Sequence, residues 1–158
     1  MKSVLTLIFA LSAFSTAAFG YDLQTVERAL DIRTSLMDVA QSLENPAFRA
    51  GRDGRLMLLD GTVASISIQN QDADSFEAVV ELAVGTWQES EQIRLYNAFF
   101  LFSGSQMAAH FSRDASPDVA IQTGDQLLVI ARPLGTTSDP IDGSETLLFS
   151  AEYARFFR

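Results

Sequence analysis

Hydrophobic residues recur in two patterns, with a helical period near the amino terminus and a period of two beyond residue 55. Between Asp22 and Glu44, apolar residues follow one another at steps of three, four and seven, which predicts an amphipathic helix. These positions are Leu23, Val26, Leu30, Met37, Ala40 and Leu43. Asp22 is a candidate N-cap, and Pro46 ends the helix because the residue before a proline disfavours helical backbone. We expect the apolar face to pack on the sheet that follows, with a partner helix as the alternative.

Beyond residue 55, apolar and polar residues alternate, which predicts β-strands. Five segments show this pattern: 56–69, 76–84, 92–102, 126–132 and 146–156. Asp60-Gly61 predicts a bulge or bend inside the first strand, and Pro133 is expected to end the fourth. A short helix is predicted at 104–112. The expected order is therefore one helix, three strands, a short helix and two strands, without a repeat or a linker.

The first twenty residues have the organisation of a cleavable secretory signal. Lys2 supplies the positive charge, residues 4–14 are apolar, and Ala18-Phe19-Gly20 has small residues at the positions that precede a cut. We expect cleavage after Gly20, with Ala17 or Ala18 as the second choice. An uncleaved membrane anchor is the alternative.

Charge and cysteine content narrow the possible functions. The chain has 20 acidic and 11 basic residues, a formal net charge of −9, and no cysteine. Negative charge repels phosphates and anionic lipid, which argues against nucleic-acid and membrane partners. The absence of cysteine excludes disulfides, thiolate metal sites and cysteine nucleophiles. Together with the signal, these features predict a bacterial protein that is periplasmic or secreted.

Three strands, a helix and two closing strands follow one another in the order of an OB barrel, the oligonucleotide/oligosaccharide-binding fold. The bend at Gly61-Thr62-Val63 and the Gly124-Asp125 turn before the fourth strand strengthen the likeness. The segment from Leu56 to Phe157 therefore resembles small periplasmic bacterial OB-fold proteins, without pointing to a specific family. The resemblance implies a mainly β fold, a five-stranded Greek-key barrel at 48–158 preceded by one amphipathic helix within 21–47.

In proteins of this fold, ligands meet the outer face of the second and third strands and the adjoining loops. The resemblance assigns to that face Glu77, Val79 and Glu81 from the second strand and Arg94 and Tyr96 from the third. Single-stranded nucleic acid binders combine basic residues with stacking aromatics, whereas this face offers aromatics beside acids. We therefore expect no nucleic-acid partner.

The candidate partner-binding residues are aromatic and basic side chains in the predicted hairpin and in the loop before the first strand. They are Trp87, Arg94, Tyr96, Arg49, Arg52 and Arg55. An uncovered aromatic patch marks an interaction surface, and the three loop arginines suit an acidic segment. The resulting prediction is a non-enzymatic accessory module that engages another envelope protein. Core filling by the aromatics and a solvated arginine loop are the alternatives.

Two other functions are considered. Asn70, Asp72, Asp74 and Glu81 have the spacing of oxygen ligands in a calcium loop, although Ser75 stands where such loops carry glycine. A small-ligand or divalent-cation module built on the acidic loops is therefore one alternative. The other is a small hydrolase with a dispersed site around His110, the only histidine, in a chain that lacks a G-x-S-x-G motif. No catalytic residue and no cofactor is predicted.

Overall fold

The computed structural model describes residues 29–44, 55–88, 91–112 and 114–156. The strands are β1 (Leu30–Asp31), β2 (Leu56–Asn70), β3 (Glu77–Trp87), β4 (Ile93–Ser103), β5 (Gln126–Ser138) and β6 (Glu145–Phe156). The helices are α1 (Leu36–Gln41) and α2 (Ser105–Ala108), with 3₁₀ turns at Ser42–Glu44 and Ala73–Ser75. None of these helices is both long and apolar enough to cross a membrane.

The five long strands form a closed barrel in the order β2-β3-β4-β6-β5, and β5 pairs back with β2. Closure depends on the length of β2, which pairs with β5 from Met57 to Thr62 and with β3 from Thr62 to Asn70. β4 and β6 run parallel, and the other barrel pairs are antiparallel. This mainly β architecture confirms the predicted OB-like fold.

On β3 the inward residues are those that the alternating pattern predicts, whereas on β2 the alternating residues Ala64 and Ile68 are exposed. On β3, Ala78, Val80 and Leu82 are fully buried, and Phe100 of β4 stacks on Phe149 of β6 with ring centroids 5.1 Å apart. β4 is buried on both faces around Phe99 and Phe100, as its apolar run predicts. The core is completed by other residues from every barrel strand and from α1, among them Leu59, Val63, Phe102, Leu127, Val129, Leu147, Leu36 and Val39.

The bend predicted at Asp60-Gly61 is displaced. Pairing with β5 continues through both residues, and the register of β2 against β3 shifts further along the strand, between Val63 and Ser65 and between Ile68 and Asn70. Gly61 instead permits a close approach: a Cβ placed there would lie 3.1 Å from Leu82 Cβ and 3.3 Å from Leu36 Cδ2. The glycine therefore allows α1 to pack against the barrel.

The predicted N-terminal helix is not confirmed, because Leu30 and Asp31 form a strand and α1 begins only at Leu36. Asp31 Oδ1 accepts hydrogen bonds from the backbone N–H groups of Arg33 (3.0 Å) and Thr34 (3.3 Å), which turns the chain. Ser35 then caps α1 through a reciprocal capping box with Asp38. The Asp31 turn and the Ser35–Asp38 capping box are local alternatives to a continuous helix in this segment.

The predicted five-strand count is also not confirmed, since β1 adds a sixth strand by pairing parallel with β2 at Leu30 and Leu56. The segment at 22–28 lies outside the described residues, as do the predicted signal at 1–20, Arg49 and Arg52. The signal and the assignment of 21–47 and 48–158 as separate units stay predictions.

β5 continues past Pro133 to Ser138, six residues beyond its predicted end. A proline removes a backbone donor, so it is tolerated where a strand has a neighbour on one side or at a bulge. Both conditions hold here, because β2 pairs with β5 only as far as Ala131 and the register against β6 shifts after Pro133.

The turn before α1 yields a pH prediction. The Thr34 hydroxyl donates to Asp31 Oδ2 at 2.7 Å and, with the backbone N–H groups, holds the pKa of Asp31 below its ordinary value of 3.8. A carboxyl group with a lowered pKa stabilises the fold above its unfolded pKa, and that contribution is lost as the pH falls through the folded pKa. We expect Thr34→Val to raise the pKa of Asp31, measured by NMR titration.

The accompanying loss of stability at neutral pH should stay below about 1 kcal/mol, because Asp31 is well solvated. Urea unfolding should show this loss at neutral pH and a smaller one at a pH well below 3.8. Thr136→Val, at an exposed position on β5, is the matched control. An unchanged Asp31 titration in Thr34→Val would contradict the assignment.

Candidate ligand-binding face

The end of the β3–β4 hairpin extends beyond the barrel as a two-stranded ribbon. β3 and β4 pair as far as Trp87 and Ile93, whereas β2 pairs with β3 only up to Ala83. On the other side, β6 pairs with β4 only from Phe99 to Leu101. Residues 84–87 and 93–98, here called the hairpin end, therefore have larger exposed surfaces than the rest of the two strands.

Three large apolar side chains lie together on one face of the hairpin end. Trp87 is 75% exposed, Leu95 70% and Ile93 55%. Trp87 lies directly opposite Ile93, and Leu95 lies opposite Gly85. A Cβ on Gly85 would lie 3.2 Å from Ile93 Cγ2 and 3.4 Å from Leu95 Cδ2, so the glycine leaves room for both side chains. We call Trp87, Ile93 and Leu95 the platform.

The hydrogen-bond alternation of the hairpin explains why the platform is contiguous. Gln88 N donates to Gln92 O at 2.8 Å, so the next pair inward, Trp87 with Ile93, is a non-hydrogen-bonded pair. The pair of Gly85 and Leu95 is of the same kind. Side chains are closest in such pairs, and they point to the same outer face as the strands alternate.

The other two hairpin residues predicted to bind a partner lie on the opposite face. The Arg94 guanidinium carbon lies 5.8 Å from the centre of the Tyr96 ring, and Tyr96 Oη accepts a hydrogen bond from Gln41 Nε2 at 3.0 Å. α1 therefore packs near Arg94 and Tyr96, whereas Trp87 lies on the other face of the hairpin. Of the loop arginines, the structure describes only Arg55, which is exposed just before β2.

A row of polar side chains crosses the outer face on the barrel side of the platform. Ser65 Oγ donates to Glu81 Oε2 at 2.9 Å, and Asn97 Nδ2 donates to Glu81 Oε1 at 2.9 Å and to Asp139 Oδ2 at 3.4 Å. Asp139, in the β5–β6 loop, is buried. Sequence reasoning missed Asn97 and Asp139, because the approach of this loop to β4 is a long-range contact without a local signal.

The outer face of β3 and β4 carries acidic and apolar residues and no basic one. Alternation places Glu77 and Glu81 there from β3, and the outward residues of β4 are Ile93, Leu95, Asn97, Phe99, Leu101 and Ser103. Phosphate groups would find no cation among these residues. A ligand of this face must therefore gain its affinity from contact with the platform.

The structure does not assemble the predicted calcium ligands. Asn70 Oδ1 accepts from the Asp72 backbone N–H at 2.9 Å, and Asn70 Nδ2 donates to Ser75 Oγ at 3.0 Å, so this amide closes a turn. Glu81 belongs to the polar row instead. Within the described ranges, no group of three or more acidic or histidine side chains is arranged to hold a metal ion.

His110 lies just after α2, with its Nδ1 2.9 Å from the Val119 carbonyl oxygen. The backbone reinforces the same contact region, since Ile121 N donates to His110 O at 2.9 Å. These bonds tie the α2 region to the segment that leads to β5, and they give the imidazole a structural role.

The similarities of this chain to known proteins are distant. No protein-family model and no curated protein matches the sequence. Among solved structures, the PriB protein of Ralstonia solanacearum is similar, with 13% identity, a TM-score of 0.42, and coverage of 65% of this chain and 97% of that one. The small single-stranded DNA-binding protein of Streptomyces coelicolor gives 14% identity and a TM-score of 0.43, covering 66% and 94%.

The mitochondrial single-stranded DNA-binding protein of Saccharomyces cerevisiae gives 15% identity and a TM-score of 0.38, with 67% and 97% covered. At these identities the likeness concerns the fold, and it agrees with the strand order of the barrel. This chain contains an OB-fold domain. No specific family is identified by sequence.

The same comparisons correct the functional predictions. The solved structures similar to this OB-fold domain include several single-stranded DNA-binding proteins, one of them mitochondrial. The predicted periplasmic protein-binding module and its small-ligand alternative are contradicted by this finding, as are the absence of a nucleic-acid partner and the periplasmic or secreted location. The exclusion of nucleic acid relied on the net charge of the chain and on the acidic residues Glu77 and Glu81 of the outer face. Both arguments concern phosphate repulsion and leave base stacking on an exposed aromatic ring out of account.

Proposed function

We propose that this OB-fold domain binds single-stranded nucleic acid on the platform, with an unpaired base stacked on Trp87. The observation that carries the proposal is the exposure of the Trp87 indole on the outer face of β3 and β4, the face on which OB folds bind oligonucleotides. Stacking of a base on an aromatic side chain contributes about 1–3 kcal/mol. Ile93 and Leu95 continue the apolar surface along the neighbouring strand.

The platform selects for single strands because it offers a flat ring and aliphatic contacts rather than a groove. In a duplex, the faces of the bases are already stacked on one another, and only their edges and the backbone are exposed. An indole at the end of a narrow ribbon can reach the face of a base only when the base is unpaired. Duplex DNA should therefore bind weakly or not at all.

The charge of the chain sets the character of this binding. With a net charge of −9 and no basic residue on the outer face of β3 and β4, the domain makes few phosphate contacts. Counterion release, which dominates the affinity of basic nucleic-acid binders, then contributes little. Base stacking then supplies most of the affinity. Because stacking releases no counterions, the affinity should depend little on the salt concentration.

Titration of the protein with a short fluorescein-labelled thymidine oligonucleotide tests the proposal, with anisotropy and the fluorescence of Trp87, the only tryptophan, as readouts. We expect saturable binding and quenching of the indole. Between about 50 and 200 mM salt the affinity should fall less than about threefold, as for one phosphate contact, or rise as repulsion is screened.

A duplex of matched sequence and a neutral oligosaccharide are the control ligands. Binding of the duplex with equal affinity, or a salt dependence as steep as that of a protein with many phosphate contacts, would contradict base stacking on Trp87. Quenching by the oligosaccharide without binding of the oligonucleotide would assign the platform to sugar rings and overturn the proposal.

A further inference from the structure

One edge of the hairpin end has no neighbouring strand among the described residues. β4 pairs with β3 along its whole length, but it pairs with β6 only from Phe99 to Leu101. Because Gln88 and Gln92 are hydrogen-bonded, the even-numbered residues of β4 direct their backbone groups toward β3. The backbone N–H and C=O groups of residues 93, 95 and 97 therefore point away from β3. The Asn97 carbonyl confirms this direction, since it accepts from Thr146 Oγ1 on the β6 side at 3.3 Å.

Apart from the charge of Arg94, this edge lacks the residues that prevent strand addition. Natural edge strands are protected by proline, lysine, bulges or short length, because a row of unpaired backbone groups is a template for another chain. Residues 93–98 contain neither proline nor lysine, and they pair with β3 without a shift in register. Their single charge is Arg94, whose guanidinium lies over Tyr96.

We propose that two copies of this chain associate through the β4 edge as an antiparallel, twofold-symmetric pair, with Leu95 opposite the partner's Leu95. Such strand addition joins the sheets of two molecules by backbone hydrogen bonds, and twofold symmetry uses the same surface on both. The inference uses the backbone edge of β4 and shares Leu95 with the platform, so the sedimentation of the unmodified chain tests it separately from the proposed function.

The sequence of the edge selects this register. The registers centred on Arg94, Leu95 or Tyr96 pair at least two of the outward residues 93, 95 and 97 with outward residues of this set in the other copy. Centring on Arg94 would place two guanidinium groups opposite each other, which is unfavourable. Centring on Tyr96 would place Ile93 opposite the partner's Phe99, a position whose edge β6 already occupies.

The register centred on Leu95 is complementary on both faces of the ribbon. On the outer face it brings the two Leu95 side chains together at the twofold axis. On the other face it places Arg94 opposite the partner's Tyr96, which repeats between copies the contact that the two residues make within one chain.

Pairing in this register would leave both platforms on the same face of one four-stranded sheet. The two copies of Leu95 would join the platforms at the axis, and each Trp87 would stay exposed on the outer strand of its own hairpin. Self-association and ligand binding are therefore compatible, and they can be measured separately.

A disulfide test uses the fact that the chain has no cysteine. Hydrogen-bonded antiparallel neighbours have Cα atoms about 5.5 Å apart, which lies within the range of about 4.4–6.8 Å that a disulfide spans. We expect oxidised Leu95→Cys to form a covalent dimer on a non-reducing gel. Ile141→Cys is the control: Ile141 is 86% exposed in the β5–β6 loop, so random collision would cross-link it at least as readily.

Sedimentation of the unmodified chain and of Leu95→Asp provides the second test. We expect the natural sequence to sediment at twice the monomer mass and Leu95→Asp at the monomer mass, because two carboxylates would meet at the axis. Ile141→Asp should stay dimeric, and circular dichroism should show that each variant is folded. A monomeric natural chain, or a Leu95→Cys variant that does not cross-link, would overturn the proposal. A monomer that still binds the oligonucleotide would overturn it while leaving the proposed function intact.

Discussion

Replacement of Trp87 by alanine is expected to weaken the binding of a single-stranded oligonucleotide about 5- to 150-fold, the loss of one base stack worth about 1–3 kcal/mol. Trp87 is 75% exposed, so its removal opens no cavity and should leave the free energy of unfolding nearly unchanged. Fluorescence anisotropy of the labelled oligonucleotide measures the loss, and urea unfolding checks the fold.

Two variants make this result specific to the platform. Tyr153→Ala removes another exposed aromatic ring, 53% exposed on β6 and outside the β3–β4 face, and should leave the affinity unchanged. Trp87→Phe keeps a ring at the platform and should lose less affinity than Trp87→Ala. Equal binding by Trp87→Ala and the natural chain would exclude the platform as the binding surface. Since Trp87 lies on β3 and not on the free edge of β4, its replacement should not change sedimentation.

Replacement of Phe100 by alanine is expected to lower the free energy of unfolding by about 3–5 kcal/mol, as for a buried phenylalanine whose cavity is only partly refilled. Phe100 is fully buried on β4, and its ring stacks on that of Phe149 from β6 at 5.1 Å. The two strands meet in parallel at this level of the barrel, where Phe100 is opposite Phe149. The lost contacts therefore belong to the pairing that joins the hairpin to β6.

Urea unfolding measures this loss as a lower midpoint with an unchanged slope. Leu134→Ala, at a position 44% exposed on β5, is the control and should cost less than about 1 kcal/mol. A loss below about 1 kcal/mol for Phe100→Ala would mean that the barrel core is not packed around the Phe100–Phe149 pair.

The strands that the sequence predicts are those whose alternation is strong. The first is predicted at 56–69 and found at Leu56–Asn70, and the last at 146–156 and found at Glu145–Phe156. The predictions fall short where the local signal stops. β3 continues through Gly85-Thr86-Trp87, which lacks alternation, because β4 supplies paired backbone groups up to that point.

Local patterns also misjudged the segment before the barrel. Apolar spacing from Leu23 to Leu43 predicts one helix, whereas the side chains of Asp31 and Ser35 provide hydrogen bonds that turn the chain and begin α1 at Leu36. Asp and Ser side chains compete with helical backbone in this way, and which interaction prevails depends on the packing of Leu36 against the barrel.

The candidate site was predicted only in part. Trp87 was identified from its residue type and its place near a predicted hairpin, but Arg94 and Tyr96 were assigned to the same face and lie on the other one. Successive residues of a strand point to opposite faces of the sheet, so the face of each residue depends on the register of the hairpin, that is, on which residues of its two strands are paired. That register is set by the pairing of Trp87 with Ile93 across a turn, which neither strand specifies alone.

The sequence by itself determined most of the barrel: alternation identified the strands and the buried residues of β3, and one glycine, Gly61, left room for α1 to approach. Tertiary structure decided the surfaces on which both proposals rest: the platform, the polar row and the free edge of β4. The physical reason is that burial depends on the alternation within one strand, whereas exposure at the hairpin end depends on where β2 and β6 stop pairing, a property of strands that are distant in the chain.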